Sequence, residues 1–597
     1  MRLIGRAGLT LVIATVLAAA GWCVVVPAAQ SAPAARFGEN YPLTPLSTAR
    51  AKDVPGLAVN PANPNHIVEG EIDPVNLECN YNVSFDGGRT WTGGRLTARN
   101  NGESPAFPTP ACDQNFDSGG YAHFNTGVVF GSGQNVYITF SVHRGPFNRP
   151  ESNNDGGNGD DAVVARSTDG GRTFAPAEIA VPGGGPVAPQ PGLAGVGMRP
   201  QLAVQRGAGT GGQDRLFVSS WNCFIRVRAS STSRGGCSGG GGDRRIFMTR
   251  SNDSGATWGT PVLASAAAVR SGGAIAEAGS PDEQAIEPSQ PVVGPDGAVY
   301  VAYRNRDITN GTTCPVNAFI TAPAPGGFPA DMAHCIVVAR STDGGATYSQ
   351  FSTGLPTPTG GLKNPRLAID PTTPAGVGTL YIVYQRALGT DPVDVVLQSS
   401  TDRAATWSPL TRINDDPVGT SNSAVFNQTN PSVSVGPGGR VNVIWGDKRH
   451  TYPGDGNYGD AYFATSTNGG STFSANRRIS DRTVNFNVGK ARETGSTLSS
   501  GGSWYGPTAL SLPNGAVLAS WLDSRLGNVD NGIQDIYLSR SEPSGEIAGR
   551  PPAGETSSGP RLARASTAPA SAPATSPSPT TTTREAGSSN TASPPPG

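Results

Sequence analysis

The stretch "STDGGRTF" at residues 167–174 decides the fold, because close variants of it occur five more times: "SFDGGRTW" from Ser84, "SNDSGATW" from Ser251, "STDGGATY" from Ser341, "STDRAATW" from Ser400 and "STNGGSTF" from Ser466. Repetition of S-x-D-x-G-x-x-aromatic along one chain marks an architecture built by stacking a small unit. In each copy the third residue (Asp86, Asp169, Asp253, Asp343, Asp402, Asn468) can accept backbone N–H bonds of a turn. The glycine supplies positive φ, and the aromatic packs on the sheet. One acid per turn lacks the several oxygens that calcium requires, so the octapeptide reads as a structural clasp.

Working outward, each copy closes a longer unit, clearest in "EPSQPVVGPDGAVYVAYRNRD" from Glu287 followed by "CIVVARSTDGGATY" from Cys335. A proline-led apolar strand, a glycine turn, an alternating strand ending in arginine, a loop, a third strand, the octapeptide and a fourth strand follow in order. The same order recurs from Pro55, Tyr121, Arg199, Glu287, Asn364, Asn430 and Trp504, the last unit running out at "IYLSRSEPSGE" without an intact octapeptide. A single four-stranded antiparallel blade cannot bury both faces, so the units are predicted to stack radially into an all-β propeller. Seven blades are expected, six being the alternative if the unit at Pro55 is an appendage. An N-terminal strand near "NYPLTPLS" from Asn40 is expected to complete the seventh blade, since closure removes exposed edges.

Composition agrees with turns and short strands: the 597 residues include 80 glycines and 52 prolines, and only 15% are charged. The net charge of -1 and the absence of a basic cluster exclude the electrostatic footprint of nucleic-acid or anionic-membrane binding. Residues 1–31 have the layout of a secretory signal peptide, with Arg2 and Arg6 ahead of an apolar run that ends in small residues. An uncleaved anchor is the competing reading, and Cys23 after Trp22 does not suit lipid modification. The exported chain then retains Cys79, Cys112, Cys223, Cys237, Cys314 and Cys335, an even set that suits three disulfides. Pairing within units is predicted: Cys79 with Cys112, Cys223 with Cys237, Cys314 with Cys335. The propeller is assigned to 36–545, and 546–597 is a Pro/Ser/Thr/Ala-rich tail too poor in large apolar residues to order, open to O-glycosylation. A secreted monomer is expected, free of the membrane once the signal is removed.

The octapeptides resemble the Asp-box, or BNR, repeat, and over residues 40–545 the chain is similar to the sialidase (neuraminidase) superfamily of propellers. That resemblance implies a glycan substrate, three arginines around an anionic sugar carboxylate, a tyrosine nucleophile, a glutamate that activates it and an aspartic acid that protonates the leaving group. "EPSQPVVGPDGAVYVAYR" resembles the family stretch in which a glutamate precedes an arginine, implying Glu287 as base and Arg304 as clamp. "WYGPTALSLPNGAVLASW" resembles the family's late strand and points to Tyr505 as nucleophile. Asp161 stands where the family's acid does, and Arg199 in "MRP" and Arg449 in "WGDKR" complete the clamp. Departures are present too: no "RIP" occurs, Glu287 lies three units before Tyr505 where the family has two, and the unit of Asp161 lacks its arginine.

The residues alone leave other readings open. Arginines recur at second-strand ends (Arg144, Arg304, Arg386, Arg449, Arg525) and aspartates recur before third strands (Asp161, Asp243, Asp394, Asp460, Asp535). A brace between blades needs one copy per blade, whereas an active site needs one of each group. Glu287 could cap a strand, and Tyr505 with Trp504 could be a stacking platform. The function expected is thus a sialidase-like hydrolase removing terminal acidic sugars. The alternatives are a non-catalytic propeller binding glycans or proteins, or a glycosidase of another specificity using Asp447 and Asp523. No cofactor is implied: His66, His123, His143, His334 and His450 lack metal spacing, and "NNDGGNGDD" from Asn153 reads as a solvated loop before a calcium site.

Overall fold

Each octapeptide forms the turn between the third and fourth strands of a sheet, and these six sheets with a seventh make up the fold. The computed structural model describes residues 36–43, 53–73, 78–98, 126–143, 160–182, 194–225, 243–265, 285–286, 289–305, 335–353, 363–388, 391–417, 428–449, 458–485, 507–525 and 535–543. The chain divides after Gly545, and all described residues belong to the first part. Blades 1 to 6 begin with the strands Asp53–Asn60, Gly127–Phe130, Ala194–Gln205, Ala285–Ile286 (continued by Val292–Val293), Lys363–Asp370 and Gln428–Gly436. Blade 7 begins with Thr508–Ser511. These first strands touch one another in a closed circuit, blade 1 meeting both blade 2 and blade 7, so they line the axis.

The strand sequences explain the stacking. In Val299–Asn305 the side chains of Val299, Val301 and Tyr303 enter the apolar seam with blade 3, while Tyr300 and Ala302 enter the seam with blade 5. Alternation with period two sends successive residues to opposite faces, and both faces are covered, so the strand reads as a nearly continuous apolar run. The seven apolar clusters of the fold are the seven seams, one between each pair of neighbouring blades. Burial of each large side chain in them, Trp445 and Tyr303 among them, contributes about 1.5–3 kcal/mol.

Closure occurs at blade 7, whose fourth strand is Tyr41–Pro42, with Tyr41 opposite Leu538 and Pro42 opposite Tyr537. Leu43 N–H donates to Ile536 O at 2.8 Å and Gly38 N–H to Arg540 O at 3.0 Å, and the Leu43 side chain is fully buried in the seam with blade 1. The seven-blade expectation and the N-terminal closing strand are both observed.

The octapeptide turn is the same in all six copies. The serine hydroxyl donates to the third-position carboxylate or amide oxygen at 2.7–2.8 Å and accepts the N–H of the fifth residue. The third-position oxygen also takes the N–H of the threonine at position seven, and that threonine's hydroxyl meets the same side chain's other terminal atom. Burial works against ionisation of Asp86, Asp169 and Asp343, but the threonine and serine bonds outweigh it and hold these carboxyls at about 2. In the copy at Ser400, Arg403 and Ala404 adopt φ of 62° and 68°, so the turn keeps its shape without glycine.

The turn is not self-contained. Trp91, Phe174, Trp258, Tyr348, Trp407 and Phe473 each pack into the seam with the preceding blade. From that blade His66 Nε2 meets Gly170 O at 2.7 Å, Arg250 donates to Gly344 O at 2.6 Å and Arg340 donates to Arg403 O at 2.9 Å. The octapeptide therefore joins blades as well as closing a hairpin.

Candidate functional site at the channel mouth

First strands begin, and second strands end, on the face opposite the octapeptides. Blade 6 shows this: Gln428, Asp447 and Asp460 form one row at the mouth, while Gly436, Arg440, Val441 and Ser466 lie at the other end. The mouth rim is built by a repeated device. In blades 1, 3, 5 and 6 the first strand slips register at an X-Pro step, between Asp53 and Gly56, Met198 and Gln201, Lys363 and Arg366, and Thr429 and Ser432. Proline cannot supply a ladder N–H, and a bulge absorbs the missing bond. Blade 4 breaks its first strand at the same place, between Ile286 and Val292.

This device fixes where the candidate residues stand. Arg199 lies within the blade 3 bulge. Arg304 pairs with Ile286 and Ile336 and is buried. Glu287 and Tyr505 lie outside the described residues. Asp161 is buried on the third strand of blade 2, opposite Val142, two strands further from the axis than the first strand. Cys112, Cys237 and Cys314, the partners predicted for Cys79, Cys223 and Cys335, lie outside the described residues, as do residues 1–31, 153–159 and 546–597.

Arg449 is held by carboxylates. Its Nε and Nη2 donate to the two oxygens of Asp447 at 3.0 and 2.8 Å, its Nη1 to Asp415 of blade 5 at 2.6 Å, and its plane stacks on Tyr462 at 4.4 Å. Burial disfavours the charged guanidinium, but Asp447 and Asp415 outweigh it and hold Arg449 above its ordinary range. Trp445 Nε1 completes the carboxylate at 2.9 Å. Blade 7 repeats the unit: Arg525 grips Asp523 at 3.0 and 2.7 Å, reaches Asp481 of blade 6 at 2.6 Å and stacks on Tyr537 at 3.9 Å. These arginines point outward, over the third strand, and tie each blade to its predecessor. The arrangement is the brace that their recurrence suggested, and it occupies the guanidinium that a carboxylate clamp would need. Asp447 and Asp523 are not brought together, since each is gripped by its own arginine beside a tryptophan packed in a different seam.

Two of the recurrent third-strand aspartates, Asp394 and Asp460, belong to braces of a second kind. Arg412 reaches Asp394 at 2.6 Å and Arg478 reaches Asp460 at 2.8 Å, each from the fourth strand of the same blade. Neither arginine was singled out by the sequence reading, although each stands directly before an isoleucine in "TRIN" and "RRIS" at matching places.

Three carboxamide side chains stand together on the rim over blades 5 and 6. Asn364 Nδ2 donates to Gln385 Oε1 at 2.6 Å and to Asn430 Oδ1 across the seam. Gln385 Oε1 also accepts Asn430 N–H at 3.2 Å, and its Nε2 donates to Gln428 O at 3.2 Å. Asn364 and Asn430 both precede proline, with φ of 52° and 51°. A cavity of 980 Å³ lies elsewhere, at the closing seam beside the first octapeptide, lined by Phe37, Tyr41, Arg89, Trp91, Arg540 and Glu542.

No family model matches the chain, and no curated protein matches it. Among solved structures, a Hadza microbial sialidase is 13% identical with a TM-score of 0.39, covering 77% of this chain and 73% of that chain. The leech intramolecular trans-sialidase complexed with 2,7-anhydro-Neu5Ac is 10% identical with a TM-score of 0.36, covering 84% and 93%. A PL25 ulvan lyase, a polysaccharide lyase, is 10% identical with a TM-score of 0.40, covering 84% and 95%. At such identities and TM-scores the likeness carries no residue role and no activity across.

Proposed function

We propose that the chain is a secreted, sialidase-type glycoside hydrolase that removes terminal acidic sugars from glycans. In this reading Tyr505 attacks the anomeric carbon, Glu287 takes its phenolic proton, Asp161 protonates the leaving oxygen, and Arg199 and Arg304 hold the sugar carboxylate. The supporting observation is the register at the mouth. Arg304 pairs with the residue preceding Glu287, and Arg199 occupies the matching bulge one blade earlier. In sequence Tyr505 stands three residues before Thr508–Ser511, the first strand of blade 7. Arg449 is left out of the clamp because its guanidinium is engaged in the blade 5–6 brace.

The test is release of the fluorophore from an aryl sialoside by the purified chain. Tyr505→Phe and Glu287→Gln are expected to remove most of the rate, and Arg304→Lys to lower kcat/KM with little change in melting temperature. A second reading, a propeller that binds acidic glycans without cleaving them, draws support from the engagement of Arg412, Arg449, Arg478 and Arg525 in ion pairs. It takes over if the wild type releases nothing while a dehydrated sialic acid analogue raises its melting temperature. No release and no shift would overturn both.

A further inference from the structure

The rim over blades 5 and 6 differs from that over blades 3 and 4. At the same step before proline, blades 3 and 4 carry Arg199 and Glu287, whereas blades 5 and 6 carry Asn364 and Asn430. We propose that Asn364 and Asn430, fixed by Gln385, form a subsite for the hydroxyl groups of a neutral sugar. It would hold the uncharged residue to which the acidic sugar is linked. This deepens the hydrolase reading above and rests on it for the acidic half of the substrate only.

The hydrogen bonds set the polarity of the subsite. Asn430 Oδ1 is taken by Asn364 Nδ2, and Asn430 N–H is taken by Gln385 Oε1. The Asn430 carboxamide is thus held in one orientation, with Nδ2 making no hydrogen bond among the described residues and the side chain part exposed at the mouth. Two N–H donors are presented to an incoming oxygen. Two residues earlier on the same strand, Gln428 is fully buried, and neither Nε2 nor Oε1 of its side chain has a partner among the described residues. Buried amides are almost always hydrogen-bonded, so this layer retains capacity that a hydroxyl or a bridging water can meet.

Hydrogen-bonding character argues for a neutral ligand. The three carboxamides of Asn364, Gln385 and Asn430 bond to one another and to backbone. A hydroxyl group both donates and accepts, so it can meet amide N–H and C=O groups alike. The backbone points the same way. Both asparagines hold the left-handed conformation at the rim, which is costly for a residue with a Cβ, and asparagine tolerates it better than most.

The left-handed conformation also supplies a clean variant, since Asn430→Gly removes the carboxamide without straining the backbone. Binding of lactose to the full chain, followed by calorimetry or ligand-observed NMR, is the direct measurement. Wild type should bind, and Asn430→Gly should bind about tenfold more weakly at an unchanged melting temperature, as expected for loss of one or two hydrogen bonds. Asn430→Asp, which replaces the donor with a charged acceptor, should weaken binding at least as much. If the chain cleaves sialosides, the loss in Asn430→Gly should be about tenfold greater for sialyllactose than for an aryl sialoside. Lactose binding that is absent in the wild type, or equal in Asn430→Gly, overturns the subsite. Lactose binding lost in Asn430→Gly without any sialoside cleavage upholds the subsite while the hydrolase reading fails.

Discussion

Replacing Asp447 with alanine tests whether Arg449 is a brace. Asp447 accepts Trp445 Nε1 at 2.9 Å, Arg449 N–H at 2.9 Å, Arg449 Nε at 3.0 Å and Arg449 Nη2 at 2.8 Å, and its carboxylate is wholly inaccessible. Asp447→Ala strands a fully buried indole N–H and Nε of the Arg449 guanidinium. Breaking a buried ion pair by removing one partner costs about 3–5 kcal/mol. Arg449 would keep Asp415, Asn476 and the face of Tyr462, so the lower end, about 3 kcal/mol, is expected. Asp447→Asn retains one acceptor and should cost about 2 kcal/mol. The double variant Asp447→Ala, Arg449→Met removes the stranded cation and should be less destabilised than the sum of the single variants by about 1–2 kcal/mol. Equilibrium urea unfolding followed by tryptophan fluorescence measures the wild type and the four variants, Arg449→Met among them. A cost below about 1 kcal/mol for Asp447→Ala, or simple additivity in the double variant, would refute the brace. Arg449 would then be available to a ligand.

Three further outcomes follow from the packing. His66 is buried with Nε2 on Gly170 O and Nδ1 beside Asn60, and burial, then Arg172, hold its pKa below the ordinary value. The unfolded chain therefore binds a proton that the folded chain refuses. Melting temperature should fall as pH drops through about 6.5, and His66→Gln should flatten that slope in a pH series of thermal scans. Gly470→Ala places a Cβ 2.6 Å from Leu397 Cδ2 at a φ of 81° and should cost about 2–3 kcal/mol in urea unfolding, whereas Gly438→Ala, at a φ of 70° with nothing within 4 Å, should cost about 1 kcal/mol. Asn468→Asp restores the carboxylate found in the other five turns and should raise stability by about 0.5–1 kcal/mol near neutral pH, an increment lost when the carboxyl is protonated in acid.

The fold was legible because its information is local and repeated. Six turns at one spacing announce the unit, and the apolar alternation of strands such as "VYVAYR" announces two buried faces. The threonine at position seven was equally visible in all six copies yet passed unremarked, because a threonine suggests no turn of its own until its hydroxyl is seen on the aspartate. The seam role of the aromatic was hidden for a different reason: its partners belong to the previous blade. The braces were half visible. W-x-D-x-R occurs twice, at Trp445 and Trp521, but Asp415 and Asp481 stand 34 and 44 residues from Arg449 and Arg525, and only the stacking of blades brings them together. Asn364 and Asn430 appeared only as the starts of units, since an asparagine before proline signals a turn before it signals a ligand. The catalytic candidates came through resemblance, and of these the register brings Arg199 and Arg304 to the rim.

The closing strand bears on the order in which the protein can be made. Gly38 and Ser539, which share a hydrogen bond at 3.1 Å, are 501 residues apart. Joining such distant segments in one step from an unfolded chain would cost about 5–6 kcal/mol of loop entropy at 25 °C. Blades that form in sequence shorten the span, so Tyr41–Pro42 should dock last. Until it does, Asp535–Arg540 is an unpaired edge of a nearly finished ring. A newly completed chain would present that edge to its neighbours until Tyr41–Pro42 docks, and a chain lacking residues 36–43 would present it permanently. Self-association through blade 7, rather than loss of any single blade, is the failure to which this topology is most exposed.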